Sequence, residues 1–381
     1  MRIDGSQIQN AIYISGESQW PVGADAWEAR AQEALEPGPF GYIAGGAGNE
    51  STMRANREAF ERRRLRPRML TGNHERDASV DVLGTPSPVP FFLAPIGVLS
   101  IAHPDGELAA ARAAAALRIP FTLSSAASHS IEEIAEVMGD APRWFQLYWV
   151  NNREICSSFV NRAEAAGYAA IVVTLDTLTL GWRPRDLGNA YLPFLSGQGC
   201  AQFFSDPVFC SLLDEPPAND VLTAAATMLS TFPNLRLTWA DLHWLREQTA
   251  LPLLVKGVLT AEDAQRAVTA GVDGIVVSNH GGRQVDGAVA ALDALVEVRA
   301  AVDVPLLVDG GVRGGADVIK GIALGADAVL LGRPYAYGLA AGGEDGVRAV
   351  LEQFAADTDL TLALLGAHGV AELDSTWIAA P

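Results

Sequence analysis

The chain has 381 residues, 49% of them hydrophobic and 19% charged, enough to bury one large α/β barrel or two ordinary domains. Its formal net charge of −18 sets the overall field against phosphate polymers and anionic membranes, so neither nucleic acid nor a membrane is an expected partner. An anionic substrate must therefore be met by local arginines.

At the N-terminus, MRIDGSQIQNAIYISGESQWP shows no basic-then-apolar leader pattern, and no run of about 18 apolar residues follows anywhere. A helix is predicted over 24–35, followed by the Gly-rich YIAGGAGNE and the polar NREAFERRRLRPRML, so residues 1–90 read as an N-terminal cap segment. From 91 to 366, short β-type runs alternate with helical patterns. The strands are FFLAPIG (91–97), PFTLSS (120–125), RWFQLYW (143–149), AAIVVTLD (169–176), PLLVKGV (252–258), GIVVSNH (274–280), PLLVDGG (305–311) and AVLLGRP (328–334). The helices are DGELAAARAAAALR, SIEEIAEVM, REICSSFVNRAEAAG, TWADLHWLREQT, AEDAQRAVTAG, ALDALVEVRAAV, GADVIKGIALG and EDGVRAVLEQFAADTDLTLALLG (344–366). Strands this uniformly apolar are covered on both faces. Eight such repeats predict an α/β fold, a closed (β/α)8 TIM barrel, in a single domain over 1–381.

Residues 187–237 interrupt the unit between the fourth strand and its helix, and their Phe and Leu content predicts a packed lid with a mobile middle at DEPPAND. Cys156, Cys200 and Cys210 are odd in number and lack CxxC spacing. They predict no disulfide framework, no metal site and a reducing, cytoplasmic setting.

Barrel chemistry gathers at strand C-termini. There the sequence places Pro95 and Gly97, Ser124 and Ser125, Gln146 and Tyr148, Thr174 and Asp176, Lys256, His280 with Arg283, Asp309 with Gly310 and Gly311, and Gly332 with Arg333. Singly, each has a bland reading: a strand-end Ser or Thr caps the next helix, and a lone His is more often structural than catalytic. Their succession at one end of every strand points to a site. VDGGVRGG ahead of a helix, then LLGRP, predicts an anion such as phosphate held by backbone N–H groups with Arg313 or Arg333, although glycines also serve tight turns. No GxGxxG follows the first strand, so a doubly wound dinucleotide site is not expected. His74, His103, His129, His243 and His368 have no partnered spacing and receive no role.

Taken together, SNHGGRQVDG (278–287), LVDGGVRGGADVIKGIALGADAVLLGRP, FQLYW, LVKGV, RPRML and YIAGGAG resemble the FMN-dependent family that oxidises 2-hydroxy acids, which includes glycolate oxidase, lactate oxidase, lactate monooxygenase and mandelate dehydrogenase. The similarity runs over nearly the whole chain. FLAPIGV (92–98), TLDTLTLGWRPRDL (174–187), the NAYLPFL that follows and SDPVF (205–209) resemble the lactate 2-monooxygenase branch most. The resemblance implies FMN as cofactor, an L-2-hydroxy acid (lactate first) and O2 as substrates, and a homo-oligomer, tetramer or octamer. It implies His280 as general base, oriented by Asp176. Arg183 and Arg283 match the pair that grips the substrate carboxylate, and Tyr42 and Tyr148 the hydroxyls that contact the carboxylate and the reacting hydroxyl. Lys256 matches the lysine beside the flavin N1–O2 edge. The cofactor is expected on the backbone of Pro95, Ile96 and Gly97, with Ser124, Gln146 and Thr174 at the ring and Ser278 as a further contact. Asp309 is expected on the ribityl chain, and Gly310, Gly311, Arg313, Gly332 and Arg333 at the phosphate.

The chain departs from the oxidases at Ala126, where many carry a large side chain, often Trp; this implies a wider pocket and leaves bulkier 2-hydroxy acids beside lactate. Gly97 stands where some relatives have Ala, near the flavin. Three outcomes are carried forward: a monooxygenase that retains keto acid and peroxide long enough for decarboxylation to acetate, CO2 and water; an oxidase or dehydrogenase that releases the keto acid; and a flavin-binding barrel without turnover. A lid that slows escape favours the first.

Overall fold

Alternation along the strands decides what the barrel encloses. The computed structural model describes residues 4–379, so positions 1–3, 380 and 381 of the expected domain lie outside the described residues. An antiparallel hairpin, β1 (Val80–Val82) and β2 (Thr85–Ser87), precedes eight parallel strands. These are β3 (Phe91–Leu93), β4 (Phe121–Ser124), β5 (Arg143–Tyr148), β6 (Ile171–Thr174), β7 (Leu253–Val258), β8 (Gly274–Val277), β9 (Leu306–Val308) and β10 (Ala328–Leu331). β10 pairs with both β9 and β3, which closes the predicted barrel.

On these strands one phase packs outward against helices, as Phe145 and Leu147 do, while the other fills the interior with Phe92, Trp144, Val172, Leu254, Val276, Leu307 and Leu330. Because side chains repeat every two residues, the next inward positions are Gln146, Thr174, Lys256, Ser278 and Asp309. The interior is thus apolar below and polar above within one strand spacing. The hairpin, unforeseen in the sequence, stops the apolar end: Val82 joins the interior cluster and Trp144 Nε1 donates to Thr85 Oγ1 at 2.8 Å. Leu83 and Gly84 turn it with φ of 54° and 75°, the left-handed pair that a two-residue hairpin favours.

All eight outer helices follow their strands as predicted. The last, Arg333–Leu365, begins eleven residues before the expected start and is broken by non-helical Gly342 and Gly343. The cap segment contains four helices, α1 (Gly5–Ser15), α2 (Ala24–Ala34), α3 (Pro37–Ala44) and α4 (Ser51–Arg62). Asp286, from the SNHGGRQVDG motif, caps α4 by accepting from Ser51 N at 2.7 Å and Asn49 N at 2.6 Å. Asn56 on α4 exchanges two 2.8 Å amide hydrogen bonds with Asn279.

Residues 187–237 form a roof containing the helices Ala201–Phe204, Pro207–Cys210 and Val221–Thr231. Fully buried Gln202 donates to His129 O at 2.7 Å and accepts from Ile131 N at 2.9 Å. Asp206, also fully buried, accepts from Ser158 Oγ at 2.6 Å and from Arg162 at 3.2 Å. Asn234 donates to the carbonyls of Trp149 and Val150. DEPPAND, expected to be mobile, forms the turns that lead to Asp220, which caps Val221–Thr231 through Thr223 N at 3.0 Å. Among the described residues no helix is long and apolar enough to cross a membrane, and no His/Cys/Asp/Glu group is arranged to hold a metal ion.

Candidate active site

Beyond the end of β8 the chain turns through His280, Gly281 and Gly282, all at positive φ (56°, 61° and 79°). For histidine this conformation is costly and is kept only where the surroundings enforce it. Here His280 N donates to Ser278 Oγ at 3.0 Å and Gly282 N to Asn279 Oδ1 at 3.1 Å. The imidazole is thereby brought to Asp176, with Nδ1 2.8 Å from Oδ1, and Thr177 Oγ1 lies 2.9 Å from the same oxygen and 3.0 Å from Nδ1. Gly257 on β7 makes room for this pair: at φ 107° its absent Cβ would stand 2.7 Å from Asp176 Cβ. Burial lowers the pKa of His280 below its ordinary value despite the attraction of Asp176, so the ring is neutral near pH 7. Burial alone would raise Asp176, but the charge and hydrogen bond of His280, with Lys256 and Thr177, hold it below the usual carboxylate range.

Arg183 and Arg283 converge beside the imidazole. Arg183 Nε donates to Arg283 O at 3.1 Å, and its Nη2 donates to Gln284 Oε1 at 2.8 Å. Arg283 Nη1 donates to Tyr42 O and, at 3.0 Å, to Gly45 O, with the guanidinium 4.9 Å from the Tyr42 ring centroid. Burial and then the nearby Arg183 push Arg283 down to about 9, the mark of two like charges held together out of water. Tyr148 lies under the roof, its ring 5.6 Å from that of Phe232, and burial followed by the charge of Asp176 keeps its hydroxyl protonated.

Across the barrel mouth, Lys256 Nζ bonds Ser278 Oγ at 2.6 Å and Asp309 Oδ2 at 2.9 Å. Burial pulls its pKa down, but Asp309 and Asp176 lift it above the ordinary value, so the ammonium persists. Gln146 Nε2 donates to Thr174 Oγ1 at 2.8 Å and its Oε1 accepts from Ser124 Oγ at 3.0 Å. A cavity of about 410 Å³ opens over these groups. Its walls include Tyr42, Tyr148, Arg183, His280 and Arg283 together with Pro95, Ile96, Gly97, Gln146, Thr174, Lys256, Asp309, Gly310, Gly311, Arg313, Gly332 and Arg333. Ser124 and Ser278 are not among its walls: both are buried behind it, where Ser124 steadies Gln146 and Ser278 steadies Lys256 and the His280 turn. Asp176 likewise stands behind His280.

A model of the FMN-dependent dehydrogenase family matches residues 31–380. The chain belongs to this family. It is 41% identical to L-lactate oxidase of Lysinibacillus sphaericus (strain C3-41) over 359 residues, covering 94% of this chain and 92% of that protein. It is 42% identical to glycolate oxidase 1 of Oryza sativa subsp. indica over 351 residues, covering 91% and 92%. Among solved structures, a soluble mutant of the membrane-associated (S)-mandelate dehydrogenase from Pseudomonas putida aligns with a TM-score of 0.85 at 38% identity, over 94% of this chain and 99% of that one.

Membership of the FMN-dependent dehydrogenases makes FMN the cofactor, and the barrel mouth fits it. Lys256 offers a buried cation to an electron-rich ring edge, and Asp309 Oδ1 is buried without a partner. At Gly332 nothing stands within 4 Å of where a Cβ would be, which leaves a glycine-lined space beside Gly310 and Gly311. A second cavity of about 410 Å³, lined in part by Arg57, Gly311, Arg313 and Arg333, adjoins the same loop. The two arginines expected at the phosphate differ. Arg333 directs Nε, Nη1 and Nη2 to the carbonyls of Ile43, Gly281 and Gly45 at 3.1, 3.0 and 2.8 Å, whereas Arg313 makes one guanidinium hydrogen bond, to Val312 O at 2.9 Å. Arg313 is therefore the one with donors to offer.

Sequence reasoning missed Thr177, Gln284 and Asp186. Gln284 bridges the two halves of the site, accepting from Arg183 and donating to the carbonyls of Asp176 and Thr179, both at 2.9 Å. Asp186 lies three residues after Arg183, one helical turn away, a spacing visible in GWRPRDL.

Proposed function

We propose that the protein oxidises the C2 carbinol of an L-2-hydroxy acid to a 2-keto acid, with O2 as terminal oxidant. The observation that carries this reading is a neutral imidazole, fixed by a buried carboxylate, opening into the same cavity as two guanidiniums. Bound FMN would accept the C2 hydrogen together with the electron pair of the C2–H bond. Arg183 and Arg283 bind the substrate carboxylate through planar N–H donors, which selects acids and fixes C2 beside His280. With Nδ1 engaged by Asp176, the remaining ring nitrogen of His280 takes the C2 hydroxyl proton, and Asp176 then stabilises the imidazolium. Tyr148, kept protonated, donates to the substrate, and Tyr42 flanks the carboxylate beside Arg283. Lys256 would offer its persistent positive charge to the electron-rich edge of the reduced group. Gln146, Thr174 and the backbone of Pro95–Gly97 would hold the ring, and Gly310, Gly311, Gly332 and Arg313 the phosphate end, with Ser124 and Ser278 acting through Gln146 and Lys256.

For the outcome, we take decarboxylation of lactate to acetate, CO2 and water as the first reading. It is supported by the roof residues Gln202, Asp206 and Asn234, whose hydrogen bonds fasten a cover under which keto acid and peroxide can react. The second reading, release of keto acid and hydrogen peroxide, is supported by the likeness to L-lactate oxidase and glycolate oxidase 1. A substrate with a larger apolar group stays open beside lactate, because Val98, Ala126, Phe194, Leu229 and Phe232 give the cavity an apolar wall. Anaerobic mixing with L-lactate or (S)-mandelate, followed by O2, tests these readings. Loss of the visible flavin absorbance establishes oxidation of the hydroxy acid. CO2 without free peroxide then supports the first outcome and peroxide with keto acid the second, while a flavin left unbleached by both acids refutes the proposal.

A further inference from the structure

One charged group in the neighbourhood of the clamp takes no part in that scheme. Asp186, on the short helix Pro184–Gly188, is only 13% exposed at its side chain, and its Oδ1 is buried without a hydrogen-bond partner. Its Oδ2 faces both clamp arginines, 4.0 Å from Arg183 Nη1 and 3.9 Å from Arg283 Nη2. Those two nitrogens are the terminal ones left uncommitted, since Arg183 donates through Nε and Nη2 and Arg283 through Nη1. At these separations the carboxylate attracts both guanidiniums but hydrogen-bonds neither. It is also absent from the cavity walls, so it does not reach the space a substrate would fill. The donors aimed at the ligand thus share a standing negative charge that stops short of occupying them.

We infer that Asp186 is the internal counter-ion of the carboxylate clamp, a positioning residue that aims Arg183 Nη1 and Arg283 Nη2 and sets how tightly the site holds anions. This rests on the proposed 2-hydroxy acid reading of the same site. With two cations and one anion, the clamp carries one net positive charge, and an arriving carboxylate neutralises it. A clamp without Asp186 carries two, and binds every carboxylate more strongly, product included. The resident carboxylate therefore lowers the affinity for substrate and keto acid alike while keeping their receptors charged.

The test compares charged and neutral ligands of the same shape on the FMN-loaded enzyme, read as perturbation of the flavin visible spectrum. Pyruvate is titrated against pyruvamide, and benzoylformate against its amide, in wild type, Asp186→Asn and Asp186→Glu. The expected result is a rise of at least about fivefold in the preference for acid over amide in Asp186→Asn, given a unit charge removed from a few ångströms behind the clamp. Asp186→Glu, which restores the charge, should return the preference towards wild type. A residue that merely props the helix would lower affinity for acid and amide together. An unchanged or reduced acid-to-amide preference in Asp186→Asn overturns the inference, and Asp186→Ser provides the same neutralisation should the asparagine variant fail to fold. If wild type binds neither keto acid, the 2-hydroxy acid reading itself falls, and this inference with it.

Discussion

Asp176 Oδ1 lies 2.8 Å from His280 Nδ1 and 2.9 Å from Thr177 Oγ1, so one buried oxygen orients the imidazole from β8 using a carboxylate from the end of β6. Its companion Oδ2 is buried without a partner, so the carboxylate is stabilised through Oδ1 by the imidazole first, with the charge of Lys256 and the Thr177 hydroxyl. Replacing His280 with Ala should slow flavin reduction at least about 100-fold, the usual contribution of a general base, while FMN remains bound. Stopped-flow bleaching under anaerobic conditions measures it, and a wild-type rate would remove His280 from the mechanism.

The pH profile follows from the same pair. Because burial holds His280 below its ordinary value, the acid limb of kcat/KM should fall below about pH 6.5. Asp176 acts against that shift, so Asp176→Asn should move the limb further towards acid as well as lowering the rate. A limb displaced towards alkali in that variant would contradict the assignment.

Ala126 lies where the β4 loop meets the roof: its carbonyl accepts from Val98 N at 2.9 Å and would stand 2.8 Å from a Cβ placed on Gly199. Ala126→Trp should narrow the chamber and lower kcat/KM for mandelate relative to lactate by at least about tenfold. Overpacking should also cost about 1–3 kcal/mol of stability. A ratio unmoved in a folded, FMN-loaded variant would place the substrate side chain elsewhere.

Asp206 tests the roof. Alanine there removes a fully buried carboxylate from Ser158, Arg162 and the backbone N–H groups of Val208 and Phe209, and should destabilise the protein by roughly 2–3 kcal/mol. If the cover retains the keto acid, the variant should also release a larger share of it with free peroxide. Coupled peroxide and CO2 assays give that share.

His129 pairs with fully buried Glu107 at 3.0 Å, and this hydrogen bond, opposed by burial, raises the histidine above its ordinary value. A raised pKa in the folded state means stabilisation that is fully present below about pH 6.5 and lost as pH rises through the folded value. The Tm difference between wild type and His129→Ala should therefore be largest near pH 6 and shrink towards alkali. Growth of that difference with pH would show the pair to be of the opposite kind.

The barrel was legible because each strand is a short apolar run bounded by glycine or proline, and each helix carries a clear 3.6-residue pattern. α3 was not: PGPFGYIA has two prolines and two glycines in eight positions and reads as a turn, yet Pro37 at its first position tolerates the missing N–H and tertiary contacts do the rest. The hairpin hid because TPS is a poor strand by composition. At the site, Asp176 and His280 with Arg283 stand out as polar residues at strand ends, whereas Arg183, nine residues beyond the end of β6, is reached only through the family resemblance. Ser124 and Ser278 shared that signal but face neighbours rather than the cavity, since a position at a strand end fixes height along the barrel without deciding who intervenes. His129 went unassigned because its partner Glu107 lies 22 residues away on the preceding helix.

The last carbonyls of α3 lack partners within the helix, and the chain supplies them from far along the sequence: Arg283 reaches Tyr42 O and Gly45 O, and Arg333 reaches Ile43 O and Gly45 O. For anyone seeking a minimal catalyst, the barrel over 91–366 is accordingly the wrong cut. Trimming the front of the chain past Gly45 removes both carbonyl acceptors of Arg283 and leaves Arg333 only Gly281 O among its three, which deprives the proposed clamp of the scaffold that keeps one of its fingers straight.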